Sequence, residues 1–464
     1  MKNSTETENN NDYLGTDSIA KLLFQLSVPA ILAQIINLLY NLVDRVYIGH
    51  MPKDGALALT GVGICMPIIM IVSAFAALIS NGGAPRASMA MGKGDNDAAE
   101  KILGNSFATQ IIISITLTMI LLLFHRPMLL VFGASENTIS YASAYMTIYA
   151  LGTIFVQLTL GMNAFITAQG FARTGMLSVL IGAVSNIILD PIFIYVLGMG
   201  VSGAATATII SQAISTVWVL KFLTGKKTIL RIKKKNLKLE AKVVLPGLAL
   251  GLAPFIMQAS ESVINVCFNS SLLKYGGDVA VGAMTILSSI MQFIMLPMQG
   301  LGQGSQPLIS YNYGAKNVDR VKRAFRLLII TSLIYSMAVW MIVMAFPQGF
   351  VRIFTSDAQL IAFAKVALRV YIASMGIFGA QMACQMTFLS IGNAKASITV
   401  AVMRKFILLI PLIYILPHFA SNKVMGVYLA EPIADLCSVI FTVILFSFQF
   451  RKAMKGIAMT GEKL

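Results

Sequence analysis

The chain has 464 residues, of which 57% are hydrophobic and 12% charged, against about 25% charged in an ordinary soluble domain. With a mean hydropathy of +0.79 there is too little polar surface to clothe two or three soluble cores. A soluble enzyme or binding module is thereby excluded, and a polytopic all-α membrane protein is expected. The net charge of +16 comes from basic residues lying between long apolar runs, a pattern that points to the lipid bilayer as partner and away from nucleic acid.

In chain order, residues 1–18 are polar and lack the basic n-region and cleavage site of a signal peptide. They are expected to form a disordered cytoplasmic tail. A membrane helix needs about 20 mostly apolar residues, and twelve such spans follow, near 19–48, 58–81, 103–124, 139–169, 176–197, 203–223, 244–272, 280–306, 327–347, 361–391, 398–417 and 425–449. The last two are the least regular, interrupted by Arg404, Lys405, Glu431 and Asp435. A strand barrel would need short alternating segments instead.

An even number of spans puts both termini on one side. Only Lys53, Arg126, Lys274, Arg352 and Lys423 fall in the opposite loops, so both termini are expected in the cytoplasm of a bacterial cell membrane. The expected divisions are an N-terminal six-helix lobe at 19–223, a linker at 224–243, a C-terminal six-helix lobe at 244–449 and a cytoplasmic tail at 450–464. Nine basic residues lie between Lys221 and Lys242; a solvated, positive-inside linker is the simpler reading, anionic lipid binding the other.

The two lobes are related by an internal repeat. Pro85, Gly92, Asp97 and Lys101 recur as Pro307, Gly314, Asp319 and Arg323, each displaced by 222 residues. Nearby offsets relate Pro29 to Pro254, Pro191 to Pro411 and Gly203 to Gly426. Six spans per copy keep the copies parallel, so a pseudo-two-fold axis along the membrane normal is expected, with substrate bound at the lobe interface.

Polar stripes cross these apolar helices. At 100° per residue, Gln34, Asn37, Asn41 and Asp44 fall within about 80° on span 1. Asn186 and Asp190 share a face of span 5, and Thr208, Ser211, Gln212 and Ser215 a face of span 6. In the second half Gln258, Glu261, Asn265 and Asn269 line span 7, Gln292, Gln299, Gln303 and Gln306 line span 8, and Gln381 and Gln385 continue on span 10. Met295 and other methionines lie between them, a soft wall suited to varied apolar cations. Such stripes also serve as glue between helices, but intramembrane carboxylates are costly and point to function. Pro191, directly after Asp190, removes a helical donor from the carbonyl of Ile187, and Pro29 does the same on span 1, so both helices are expected to bend. Glu431 and Asp435 share a face of span 12, where pairing with Arg404 or Lys405 competes with a transport role.

Other signals carry little. Cys65, Cys267, Cys384 and Cys437 lack CxxC spacing and read as small hydrophobes. Gly198, Gly200 and Gly203 match a dinucleotide fingerprint but do not follow a strand. Asn3-Ser4-Thr5 fits the glycosylation pattern on the wrong side of the membrane. Neither a Walker A motif nor a catalytic spacing is visible, so no enzyme activity and no cofactor are expected.

The run Pro29, Gln34, Leu42-Val43-Asp44-Arg45, Ile48-Gly49, with Pro85 to Gly92, Asn186-Ile187-Ile188-Leu189-Asp190-Pro191 and Gly203-Ala204-Ala205, resembles the multidrug and toxic compound extrusion (MATE) family, most closely its DinF-like bacterial branch. The resemblance covers nearly the whole chain. It implies twelve helices in twin lobes and efflux of drugs or toxic organic cations in exchange for protons or sodium, with Asp44, Asn186, Asp190 and Thr208 as the coupling network. Glu261 matches an acid of the NorM-like branch, whose second acid on span 10 has no counterpart here. Two close carboxylates in a low dielectric cannot both stay ionised cheaply, so Asp44 and Asp190 are expected to take up a proton as drug leaves, by alternating access and as a monomer. A flippase for lipid-linked sugars is the alternative, though it would favour a cationic groove.

Overall fold

A computed structural model describes residues 13–52 and 54–461. Among them the regular structure is helical, as the bilayer demands: with no water to bond them, backbone groups must be satisfied within each segment. Among the described residues nine helices are long and apolar enough to cross a membrane, and two bent pairs each supply a further span. One of the nine, Ala241–Gly314, has 74 residues, about 110 Å at 1.5 Å per residue, against a hydrocarbon core of about 30 Å. It breaks at Gly277, whose φ of 63° and ψ of −160° lie outside the helical region. It is therefore two spans, and the total is twelve.

The N-terminal lobe contains α1 (Ile19–Gly49), α2 (Gly55–Gly92), α3 (Asn96–Val131), α4 (Ile139–Leu151 and Thr153–Ala168, bent by 57°), α5 (Ala172–Val196) and α6 (Val201–Thr224). The C-terminal lobe contains α7 (241–276), α8 (278–314), α9 (Val318–Ala345), α10 (Ala358–Tyr371 and Met375–Ser390, bent by 47°), α11 (Ala394–Phe419) and α12 (Lys423–Met459). The interrupted pattern of the last two spans does not prevent them from forming; α12 runs ten residues beyond the expected end at 449.

The 222-residue repeat extends to details of backbone. Asp95 caps α3 by accepting from the amide of Ala98 at 2.9 Å, and Asn317 caps α9 by accepting from that of Arg320 at 3.2 Å. The residues before these caps, Gly94 and Lys316, have φ of 77° and 58°. The bends of α4 and α10 correspond, and α5 and α11 each contain a π turn, Ile192–Val196 and Met403–Leu409. At the lobe boundary a Cβ on Gly92 would overlap the carbonyl of Tyr311, and one on Gly314 the carbonyl of Met89, a reciprocal contact that only glycine permits.

The lobes meet at one end of the molecule. Arg86 Nη1 donates to the carbonyl of Val243 at 2.6 Å, Ser88 Oγ to that of Pro307 at 3.2 Å and Ser27 Oγ to that of Leu301 at 3.4 Å. Further along, Gln34 Nε2 donates to Gln303 Oε1 at 3.1 Å, and Phe75 meets Phe255 edge-on at 4.9 Å. Among the described residues, the side-chain hydrogen bonds between lobes all lie at or below this level. Beyond it Asn41, Asn265, Asn269 and Gln292 are exposed on otherwise apolar helices.

Two expectations change at the closed end. Residues 13–18 are not free tail: Tyr13–Thr16 is a helical turn with Leu14 only 1% exposed. The carbonyl of Leu14 accepts from Asn312 Nδ2 at 2.9 Å and Arg320 Nη2 at 3.0 Å, and that of Asp17 from Arg320 Nη2 at 2.8 Å. A guanidinium thus satisfies carbonyls that so short a helix cannot pair. The linker, expected to be solvated, is strapped to the N-terminal lobe. Gln169 Oε1 accepts from Thr228 and from the amides of Ile229 and Leu230; Glu100 pairs with Lys233 at 2.5 Å; Asn105 bonds both Asn236 and Glu240. Residues 1–12, with the Asn3-Ser4-Thr5 match, Lys53 and residues 462–464 lie outside the described residues.

Candidate functional site

Two polar centres are buried in the lobes. In the first, α1 carries Asp44 and α5 carries Asn186 and Asp190, on helices that pack together. Asp44 is 8% exposed and Asp190 fully buried, and their carboxyls stand within hydrogen-bonding reach of each other. Asn186 Nδ2 donates to Asp190 Oδ1 at 3.2 Å. Directly after Pro191 the helix continues as the π turn Ile192–Val196, which accommodates the lost donor. Tyr195 then ties α5 to α1 by donating to the carbonyl of Tyr47 at 2.6 Å.

Acceptors outnumber donors here. Asp44 Oδ1, Asn186 Oδ1, Asp190 Oδ2 and Gln212 Oε1 are all buried without a hydrogen-bond partner. Each such atom is costly to leave unpaired in a buried setting. Thr208 donates to the carbonyl of Ala204 at 3.0 Å and stands within reach of Tyr145. Tyr40 reaches Asn41 and Gln212. Neither tyrosine was among the residues singled out from sequence. Tyr40 lies one turn before Asp44 and the same spacing argument reaches it; Tyr145 comes from α4 and had no local signal.

The remaining candidates divide. Asn37 is half-buried on α1, and Asn41 donates to the carbonyl of Asn37 at 2.7 Å. Gln258, Met295 and Gln299 are half-buried, whereas Asn265 and Gln292 are exposed. Gln381 and Gln385 do not join them: they are 3% and 4% exposed, and Gln385 Nε2 donates to Ser397 Oγ at 2.8 Å, tying α10 to α11.

The second centre lies in the C-terminal lobe. Arg404 Nε bonds Asp435 Oδ1 at 2.7 Å and Nη2 bonds Glu431 Oε1 at 2.9 Å, with the guanidinium 4.8 Å from the Phe378 ring centre. Lys405 Nζ pairs with Glu261 Oε1 at 2.6 Å. Glu431 and Asp435 are therefore both partners of Arg404, while Lys405 turns to α7. Among the described residues no group of three His, Cys, Asp or Glu is arranged to hold a metal.

Twin six-helix lobes, each with a buried polar centre beside a π turn, define a membrane transporter. The family profile described as MatE matches residues 29–192 and 254–415, one block in each lobe, and the chain belongs to the MATE family. It is 25% identical over 441 residues to the multidrug export protein MepA of Staphylococcus haemolyticus, covering 95% of this chain and 96% of that protein. A MepA of Staphylococcus aureus is 22% identical over 435 residues, covering 93% of this chain and 95% of that protein. Among solved structures, a MATE protein in a bent conformation superposes with a TM-score of 0.90 at 24% identity, over 97% of this chain and 99% of that one. An outward-facing multidrug resistance MATE transporter gives 0.89 at 24% identity, over 96% and 98%. These two likenesses concern the fold.

Proposed function

We propose that the protein is a secondary multidrug efflux antiporter that exports lipophilic cations in exchange for protons, with sodium as the alternative ion. The observation that carries this reading is the facing pair Asp44 and Asp190, buried with Asn186 among unpartnered oxygens. Two carboxylates at this distance, shielded from water, cannot both remain charged cheaply. Charged, the pair attracts a cation to the N-terminal lobe; with a proton bound, it releases that attraction. The MepA relatives, called multidrug export proteins, support the drug-export part.

The closed end carries the loops and the linker in which basic residues concentrate, so it is the cytoplasmic end and both termini lie there. The lobes then part toward the outside, and Asn41, Asn265 and Gln292 face a water-filled cleft, since polar side chains at that depth do not face lipid. Alternating access follows by rocking the lobes about their boundary, with Pro29 as a point where α1 bends, each chain acting as a monomer in the cell membrane. The test is efflux of a fluorescent cation from liposomes under an imposed pH gradient and then a sodium gradient. Transport driven by the pH gradient and lost in Asp44→Asn supports the reading. Sodium-only drive moves the coupling to sodium, and no transport under either gradient rejects export in favour of lipid flipping.

A further inference from the structure

The second buried centre has an asymmetry that the export reading leaves unused. Gly251 and Phe255 on α7 face the other lobe, one against the backbone of Leu78 and the other against Phe75. At 100° per residue, Gln258, Asn265 and Asn269 lie within about 40° of Gly251, along the cleft. Glu261 stands about 80° round from Gly251, at the edge between cleft and lobe interior. Its side chain is 41% exposed, whereas that of its partner Lys405 is 4% exposed. The ammonium approaches from inside the lobe and takes one carboxylate oxygen, and the carboxylate itself stands at the cleft.

Lys405 is held there by its surroundings. It sits on the π turn Met403–Leu409, beside Arg404, and both consecutive cations are buried in the lobe. Arg404 is bonded to both Asp435 and Glu431, and Lys405 pairs with Glu261. In the fully ionised form three carboxylates face two cations, so the centre keeps one negative charge unbalanced, and Glu261 is its member nearest the cleft.

We propose that Glu261 is the C-terminal lobe's seat for the protonated amine of an exported compound, and that Lys405 is a tethered competitor that sets its affinity. This rests on the export reading above. A protonated primary or secondary amine donates N–H bonds as Lys405 does and replaces it at the carboxylate; a quaternary or phosphonium cation has no N–H and gains only the diffuse charge. Lys405 therefore biases the transporter against amines and toward cations that do not depend on that hydrogen bond.

The experiment is equilibrium binding to the purified full-length protein, with a fluorescent secondary amine and tetraphenylphosphonium as the two probes. Lys405→Gln is expected to tighten the amine about tenfold, the scale of one charge-assisted hydrogen bond, and to change tetraphenylphosphonium less than threefold. Glu261→Gln is expected to weaken the amine about tenfold, and in its background Lys405→Gln has no further effect. Unchanged amine binding in Lys405→Gln, or in Glu261→Gln should the lysine variant fail to fold, overturns the inference while leaving export intact. Wild-type protein that binds neither probe overturns the export reading as well.

Discussion

Arg404→Met tests what the buried cluster of the C-terminal lobe does for the fold. Arg404 is 8% exposed, bonds Asp435 at 2.7 Å and Glu431 at 2.9 Å, and stacks on Phe378. Methionine fills much of the volume but leaves two carboxylates, 2% and 6% exposed, without their common partner. Breaking one buried pair from one side costs about 3–5 kcal/mol, and here a single change breaks two. The two pairs share one guanidinium, so the loss is taken near the value for one pair rather than doubled. The ratio of folded to unfolded protein at a given denaturant concentration should fall by roughly a hundredfold or more. The triple variant Arg404→Met, Asp435→Leu, Glu431→Leu removes the charges together and should recover most of that loss, since a buried ion cluster is often no better than an apolar one of similar volume. The assay is the midpoint of detergent or thermal unfolding of the purified protein, read by loss of the monodisperse peak. A single variant as stable as wild type, or a triple variant no better than the single, would show that these charges are not coupled as the geometry states.

Asp44→Asn and Asp190→Asn should each abolish ion-driven efflux while the protein still purifies as a folded species; a variant with normal efflux removes that residue from the coupling pair. Gly92→Val inserts a side chain against the carbonyl of Tyr311, an overpacking that costs about 1–3 kcal/mol, and should lower the yield of a cysteine cross-link across the closed end; an unchanged yield contradicts the close approach. Leu14→Asp places a charge in a site 1% exposed and should expose the segment around residue 14 to protease, as should Arg320→Ala, which removes the donor to Leu14 and Asp17. Equal protection in all three proteins would mean that the segment does not dock.

Much of this architecture is written locally. Each span is a run of about 20 apolar residues, and because the bilayer offers the backbone no partner, such a run has few options besides helix. The repeat of Pro85 to Lys101 at Pro307 to Arg323 declared the two lobes, and the i, i+4 spacing of Asn186 and Asp190 placed both on one helix face. The ends of elements were less legible. Residues 13–17 and the linker looked like solvated chain because their composition is polar. They dock through single contacts, Arg320 on the carbonyl of Leu14 and Gln169 on the amides of Ile229 and Leu230, that come from residues far away in sequence.

The sequence alone determined the class of protein, the number of spans and the existence of acids within the membrane, because hydropathy and helical period act over short stretches of chain. Only the tertiary structure decided which charges meet. It brought Asp44 of α1 against Asp190 of α5, gave both Glu431 and Asp435 to Arg404, and sent Lys405 to Glu261 across 144 positions. Such pairings depend on how helices rotate and cross, and on a π turn that shifts the register of α11. That geometry is fixed by packing of the whole lobe and has no signature in any one segment.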